Sequence, residues 1–148
     1  MNSAGHEITF ATNALGPYVP TEALREALAA PGESRVVNVV TSFTGNYDPT
    51  DLDFVRRPYD GSKAYGQSKL ALWMLTRGHA ERFAANGVRV NAAEPGFVKT
   101  NFNPDARCFV PTLTTPSPRL IALTPAQAAH PPFFAAAPHS PCASTATS

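Results

Sequence analysis

Apolar residues recur at helical spacing near the start of the chain. Ile8, Phe10, Ala11, Leu15 and Tyr18 follow a 3.6-residue repeat, and Ser3, with Glu7 four residues on, supplies a cap. Pro20 is expected to interrupt this helix, because it lacks a backbone donor and its ring presses on the preceding turn, costing about 3 kcal/mol unless the helix kinks. Thr21 restarts the helix through Ala30, and Pro31-Gly32 ends it. The period then changes. Val36, Val37, Val39 and Val40 form a β-branched run that suits a short strand buried on both faces, ending in Thr41-Ser42. From Phe43 to Ser62 the residues Gly45, Asn46, Pro49, Pro58, Asp60 and Gly61 predict one unusually long connection, a kind of loop that is often functional. Ala64 to Asn86 is the strongest helix, with Tyr65, Leu72, Leu75 and Phe83 among its apolar positions and Asn86-Gly87 as its stop. Gly78 weakens it by about 1 kcal/mol. Val88, Val90 and Ala92 alternate as a second strand up to Glu94-Pro95-Gly96.

A full crossover helix between the two strands predicts that they run parallel, within an α/β fold of the Rossmann-like, doubly wound kind. Ligands of such sheets sit beyond the carboxyl ends of the strands, and both Ser42 and Pro95-Gly96 fall there. The composition breaks near Asn103. The remainder holds nine of the fifteen prolines but only Asp105, Arg107 and Arg119 as charged residues, with a Pro131-Pro132 pair. Such a segment can bury too little apolar surface to offset its ordering entropy. The expected organisation is a partial α/β domain over residues 1–102 and a Pro/Ala/Ser/Thr-rich tail over 103–148, mostly disordered.

Bulk properties narrow the partners. A chain of 148 residues with 43% apolar and 16% charged residues allows one domain with a core. A formal charge of +1 gives no concentrated basic face for nucleic acid or an anionic membrane. There is no run of about 18 apolar residues and no basic segment leading into an apolar one, so a soluble, cytoplasmic protein is expected. Cys108 and Cys142 have a spacing that suits neither a zinc site nor a redox pair, and no metal is expected.

Tyr65 and Lys69, four apart on the strongest helix, project from one face with the ammonium near the phenol. A neighbouring cation stabilises phenolate and would bring a phenol toward useful acid–base range at neutral pH. Taken alone, the same spacing also occurs on helices where Tyr merely packs and Lys snorkels. Ser42 could hydrogen-bond a substrate oxygen from its strand end, or simply make a turn. Asn13 reads equally as an exposed polar helix position, Pro95-Gly96 as a tight turn, and Thr100 as an ordinary hydroxyl.

Together and in this order, FATNALG, RVVNVVTS, YGQSK and VNAAEPGFVKT resemble the C-terminal half of the short-chain dehydrogenase/reductase family, over about Ser3 to Asn101. The phrase YDGSKAYGQSKLA is most similar to the branch containing retinol dehydrogenases and WW-domain oxidoreductases, which also has a long serine-to-tyrosine loop. The resemblance implies Tyr65 as general acid/base, Lys69 lowering its pKa and holding the nicotinamide ribose, Ser42 orienting the substrate carbonyl, and Asn13 supporting a water relay to Lys69. Pro95, Gly96, Val98 and Thr100 become cofactor contacts, with Tyr65 and Lys69, for NAD or NADP. The implied reaction is hydride transfer coupled to proton transfer on a small-molecule alcohol or carbonyl.

Family members also carry a glycine-rich turn facing the cofactor pyrophosphate. The nine glycines here contain neither GxxxGxG nor GxGxxG. The expectation is therefore a truncated oxidoreductase impaired in cofactor binding. The rival expectation is a non-catalytic remnant that acts by association, with copies pairing through the 64–86 helix as family members do. A third is a split gene whose other half lies upstream.

Overall fold

The computed structural model describes residues 1–30, 33–42, 47–96, 98 and 123–137. Among them the elements run α1 (Ile8–Phe10), a π-helical turn (Ala11–Leu15), α2 (Gly16–Ala23), α3 (Arg25–Ala29), β1 (Ser34–Val39), α4 (Gly61–Phe83), a 3-10 turn (Ala84–Asn86), β2 (Val88–Ala93) and α5 (Pro125–Ala136). The two strands pair in parallel, from Ser34 opposite Val88 to Val39 opposite Ala93. The α/β reading and the parallel crossover both hold.

The helix α4 is the spine. Asp60 caps it by accepting from the Lys63 amide, and Gly87, at φ 73°, ends it in the left-handed conformation that a residue without Cβ adopts at no steric cost. The sequence placed its start three residues late and its stop correctly. Along one side Ala71 packs with Phe10 and Ala14 of the N-terminal helices. At its far end Phe83 packs with Val88 and Val90 of β2, against which Val36 of β1 also lies. Polar contacts fix the register. Asn38, buried in β1, donates to Thr76 Oγ1 at 2.9 Å, and Thr76 donates to the Leu72 carbonyl at 2.7 Å. Fully buried His79 stacks between Tyr18 and Phe83 and meets Glu22 Oε1 at 2.9 Å, which ties α2 to α4.

Four expectations change. The N-terminal helix is capped by Glu7 rather than Ser3. The Glu7 carboxylate accepts from the amides of Thr9 and Phe10 at 2.9 and 2.7 Å, satisfying donors that a first turn leaves free. Pro20 does not interrupt its helix, which runs to Ala23 and breaks at Leu24 (φ −91°, ψ 8°); a π-helical turn precedes it, and Thr21 Oγ1 donates to the Pro17 carbonyl across the proline. β1 is not buried on both faces. Its 36, 38 and 40 positions face α4, while Val39 on the other face is 44% exposed. The tail is not uniformly without structure. Pro125–Ala136 is a helix despite Pro131 and Pro132, because Thr124 and Gln127 form a reciprocal capping box, Pro125 starts the first turn, and Ala128 is buried. Arg35, on the face of β1 opposite Val36, donates to the Ala137 carbonyl at 2.5 Å and so ties the end of α5 to the sheet.

The long connection is irregular over residues 47–60, as expected, but it is internally stapled; its Phe43–Asn46 part lies outside the described residues. Asp51, 4% exposed, accepts from the amides of Val55, Arg56 and Arg57 and from Arg57 Nε at 3.1 Å. Burial works against its charge, yet these bonds hold the Asp51 carboxyl below the usual carboxylate range. Gln67, buried on α4, locks the loop to the helix. Its Oε1 accepts from Arg57 and from the Asp48 amide, and its Nε2 donates to the Leu52 carbonyl at 3.1 Å. Replacing Gln67 by Ala would strand these buried partners, so Gln67→Ala should lower stability by about 1–3 kcal/mol in urea unfolding and speed amide exchange over residues 48–57. Unchanged exchange there would contradict the staple.

Candidate active site

The site forms where the strand tips meet the first half of α4. Tyr65 and Lys69 lie one turn apart on that helix, both half-buried, with Lys69 Nζ 6.0 Å from the centre of the Tyr65 ring. Lys69 Nζ donates to the Val39 carbonyl at 2.9 Å, which brings the pair to the end of β1, three residues before Ser42. In this ladder Val40 bonds toward β2, so the Val39 carbonyl points away from β2 and would otherwise go unpaired by it. The ammonium thus has a structural role at the end of β1.

Asn13 joins the same group indirectly. The π-helical turn widens the N-terminal helix at this residue, and Asn13 Nδ2 donates to Ser68 Oγ at 3.0 Å. Ser68, fully buried, in turn donates to the Tyr65 carbonyl at 2.7 Å. Pro95 and Gly96 follow β2 at the same end of the sheet. Gly96 stands at φ 78°, where a side chain would be strained, and Val98 forms an isolated parallel bridge with Leu123. Thr100 lies outside the described residues. Two of the four expected catalytic positions, Asn13 and Tyr65, are thereby linked by hydrogen bonds through Ser68, and Lys69 lies one turn from Tyr65 with its own bond to β1. Ser42 lies three residues beyond the Val39 carbonyl that Lys69 grips, and its amide bonds to Glu94.

One expectation is reversed. The Lys69 ammonium was expected to draw the Tyr65 phenol down, whereas burial pushes that phenol above its ordinary value. Burial also pushes Lys69 down. Both shifts have the same physical cause, since a half-desolvated group resists its charged form, and here desolvation outweighs an ammonium lying over the ring.

Sequence reasoning overlooked Ser68 and Gln67, although both stand inside YGQSK. A small hydroxyl and an amide at positions facing neighbouring helix and loop were the available signal. It also overlooked the Asp51, Arg57 and Gln67 staple, foreshadowed only by charges in an otherwise proline- and glycine-punctuated loop. Glu94, a charge at a strand tip, was passed over as part of a turn.

A sequence model of the short chain dehydrogenase family matches residues 1–108. The chain belongs to that family. Among curated relatives, this short-chain dehydrogenase is 43% identical over 98 residues to a probable oxidoreductase of Streptomyces antibioticus, covering 65% of this chain and 33% of the relative. It is 37% identical over 98 residues to mouse retinol dehydrogenase 13, covering 65% and 29%. Against zebrafish polyprenol dehydrogenase it is 34% identical over 141 residues, covering 90% and 43%. The chain thus spans about a third of the length of the first relatives it matches. No solved structure matches it significantly. Among the described residues no helix is long and apolar enough to cross a membrane, and no group of three His, Cys, Asp or Glu could hold a metal ion.

The phenol shift makes a measurable statement. Tyr65 should titrate above the ordinary tyrosine value of about 10, followed by the NMR signal of its ring carbon. Because its folded value is raised, the stability it contributes is fully present below the unfolded value and is lost as pH rises through the folded one. A Tyr65 that ionises below pH 8 would show that Lys69 governs it after all.

Proposed function

We propose that the chain carries the catalytic half of an NAD(P)-dependent oxidoreductase that interconverts an alcohol and a carbonyl. The observation that supports this most is the Lys69 bond to the Val39 carbonyl, because it brings a phenol and an ammonium to the end of β1, three residues before Ser42. In the reducing direction, Tyr65 Oη gives its proton to the substrate oxygen while Ser42 donates a hydrogen bond to the same oxygen. A phenol that burial keeps protonated is suited to that donating role. Lys69 has further N–H donors beyond the one given to Val39, to hold a ribose and to stabilise the phenolate left behind. Asn13, held by Ser68, supports a water that leads a proton back toward Lys69.

The residues present fit the nicotinamide end of a dinucleotide. Lys69 supplies donors, and the side-chain-free turn at Gly96 permits close approach at the tip of β2. Pro95 and Val98 follow on the same segment and would complete that contact, and the family resemblance assigns Thr100, outside the described residues, to it as well. The bound cofactor supplies the hydride. Two relatives are named for retinol and polyprenol, which favours an apolar alcohol as substrate. The nine glycines form no pyrophosphate-binding motif, so these 148 residues alone should hold the dinucleotide weakly.

A second reading is a non-catalytic module that associates through the 64–86 region, favoured by the exposed Trp73 and Met74 on α4. Tyr65→Phe separates the two. An enzyme should lose about 10²–10⁴-fold in turnover, as expected for removal of a general acid. A binding module should be indifferent. The isolated 148-residue chain should show no saturable NADH or NADPH binding in a fluorescence titration, and micromolar binding would overturn the weak-cofactor reading.

A further inference from the structure

The paired strands do not end together by accident of length. The Val40 amide donates to the Ala93 carbonyl at 2.9 Å, which is the last backbone rung seen between them. In a parallel ladder of this register, the next donor returning to β1 would come from position 95. That residue is Pro95, which has no N–H, and Gly96 at φ 78° then turns the chain away. The following β1 amide on this side belongs to Ser42, and its regular acceptor would have been the Pro95 carbonyl. Instead the Ser42 amide donates to Glu94 Oε1 at 2.7 Å. A side-chain carboxylate has replaced a backbone rung at the point where the sheet opens toward the site.

We propose that Glu94 is a positioning residue, which extends the sheet by one charge-assisted rung and so fixes the Ser42 backbone at the mouth of the cleft. The juxtaposition is selective. From the side of α4, Lys69 holds the Val39 carbonyl, and from the tip of β2, Glu94 holds the Ser42 amide, so the three-residue exit of β1 is gripped at both ends. A carboxylate acceptor is suited to this place because Ser42 and Glu94 are both exposed, and a charged acceptor keeps a stronger bond against competing water than a neutral one does. The hydroxyl of Ser42 takes no part in this bond and stays available for a substrate oxygen. That assignment to substrate rests on the oxidoreductase reading above, while the grip on the backbone does not.

The test is the amide signal of residue 42 in the full chain, followed by ¹⁵N–¹H correlation spectra and hydrogen exchange in wild type, Glu94→Gln and Glu94→Ala. In wild type the Ser42 proton should lie downfield and exchange slowly for an exposed amide. Glu94→Ala should move it upfield and speed its exchange about tenfold, equivalent to about 1.4 kcal/mol. Glu94→Gln, which keeps an acceptor oxygen, should restore most of the protection. The amides of Val36 and Val90 should not move in either variant, which separates the local grip from general loss of structure. If Glu94→Ala does not fold, the partial loss in Glu94→Gln still decides the matter. A Ser42 signal indifferent to both substitutions would overturn the proposal, as would equal loss in both. Ser42→Ala keeps the amide and removes only the hydroxyl, so it should preserve the protection at position 42. Any turnover it abolishes then bears on the oxidoreductase reading alone.

Discussion

A single hydrogen bond, from the Lys69 ammonium to the Val39 carbonyl, joins the two parts on which the candidate site depends. One part is the parallel pair β1 and β2, whose register sets both strand tips at the same end. The other is α4, which carries Tyr65 and Lys69 on its first half and the packing residues Ala71, Thr76 and Phe83 further along. The helix is anchored to the sheet at depth by apolar contact and by the Asn38 to Thr76 bond, and at the mouth by Lys69. The last of these fixes the phenol and ammonium pair against the exit of β1, three residues before Ser42.

The electrostatics of that mouth are a compromise. Desolvation raises the phenol and lowers the ammonium, so each side chain is biased toward its neutral form. Such opposed shifts favour the protonated phenol and the uncharged amine. The surrounding bonds are directed at backbone atoms. Lys69 grips a carbonyl of β1, Ser68 grips the carbonyl of Tyr65, and Glu94 grips the amide of Ser42. The relative positions of these elements are thereby carried by the main chain.

Much of this was legible in the sequence, because the strongest signals were local. A β-branched run, an alternating run and a long helix stopped by Asn86-Gly87 specify two strands and a crossover, and the crossover length specifies parallel pairing. The order of FATNALG, RVVNVVTS, YGQSK and VNAAEPGFVKT specified the family. What was not legible depended on tertiary partners. Glu7 rather than Ser3 caps the first helix because Asp53, from a distant loop, holds the Glu7 amide at 2.8 Å and orients its carboxylate. Pro20 stands inside α2, which follows a π-helical turn and carries a Thr21 Oγ1 bond to the Pro17 carbonyl, and spacing alone reveals neither feature. The helix Pro125–Ala136 overrides its own prolines through a capping box and a buried Ala128, and so escaped a reading based on composition. The direction of the Tyr65 shift turned on how deeply the pair is buried, and a four-residue spacing carries no information about depth.

The most direct measurement is of the Lys69 ammonium itself, by ¹⁵N NMR of its side-chain nitrogen in the folded chain. The account predicts a slowly exchanging, rotationally restricted ammonium with a scalar coupling across the hydrogen bond to the Val39 carbonyl carbon. A freely rotating, rapidly exchanging ammonium with no such coupling would contradict it, because the mouth of the site would then lack its tie to the end of β1.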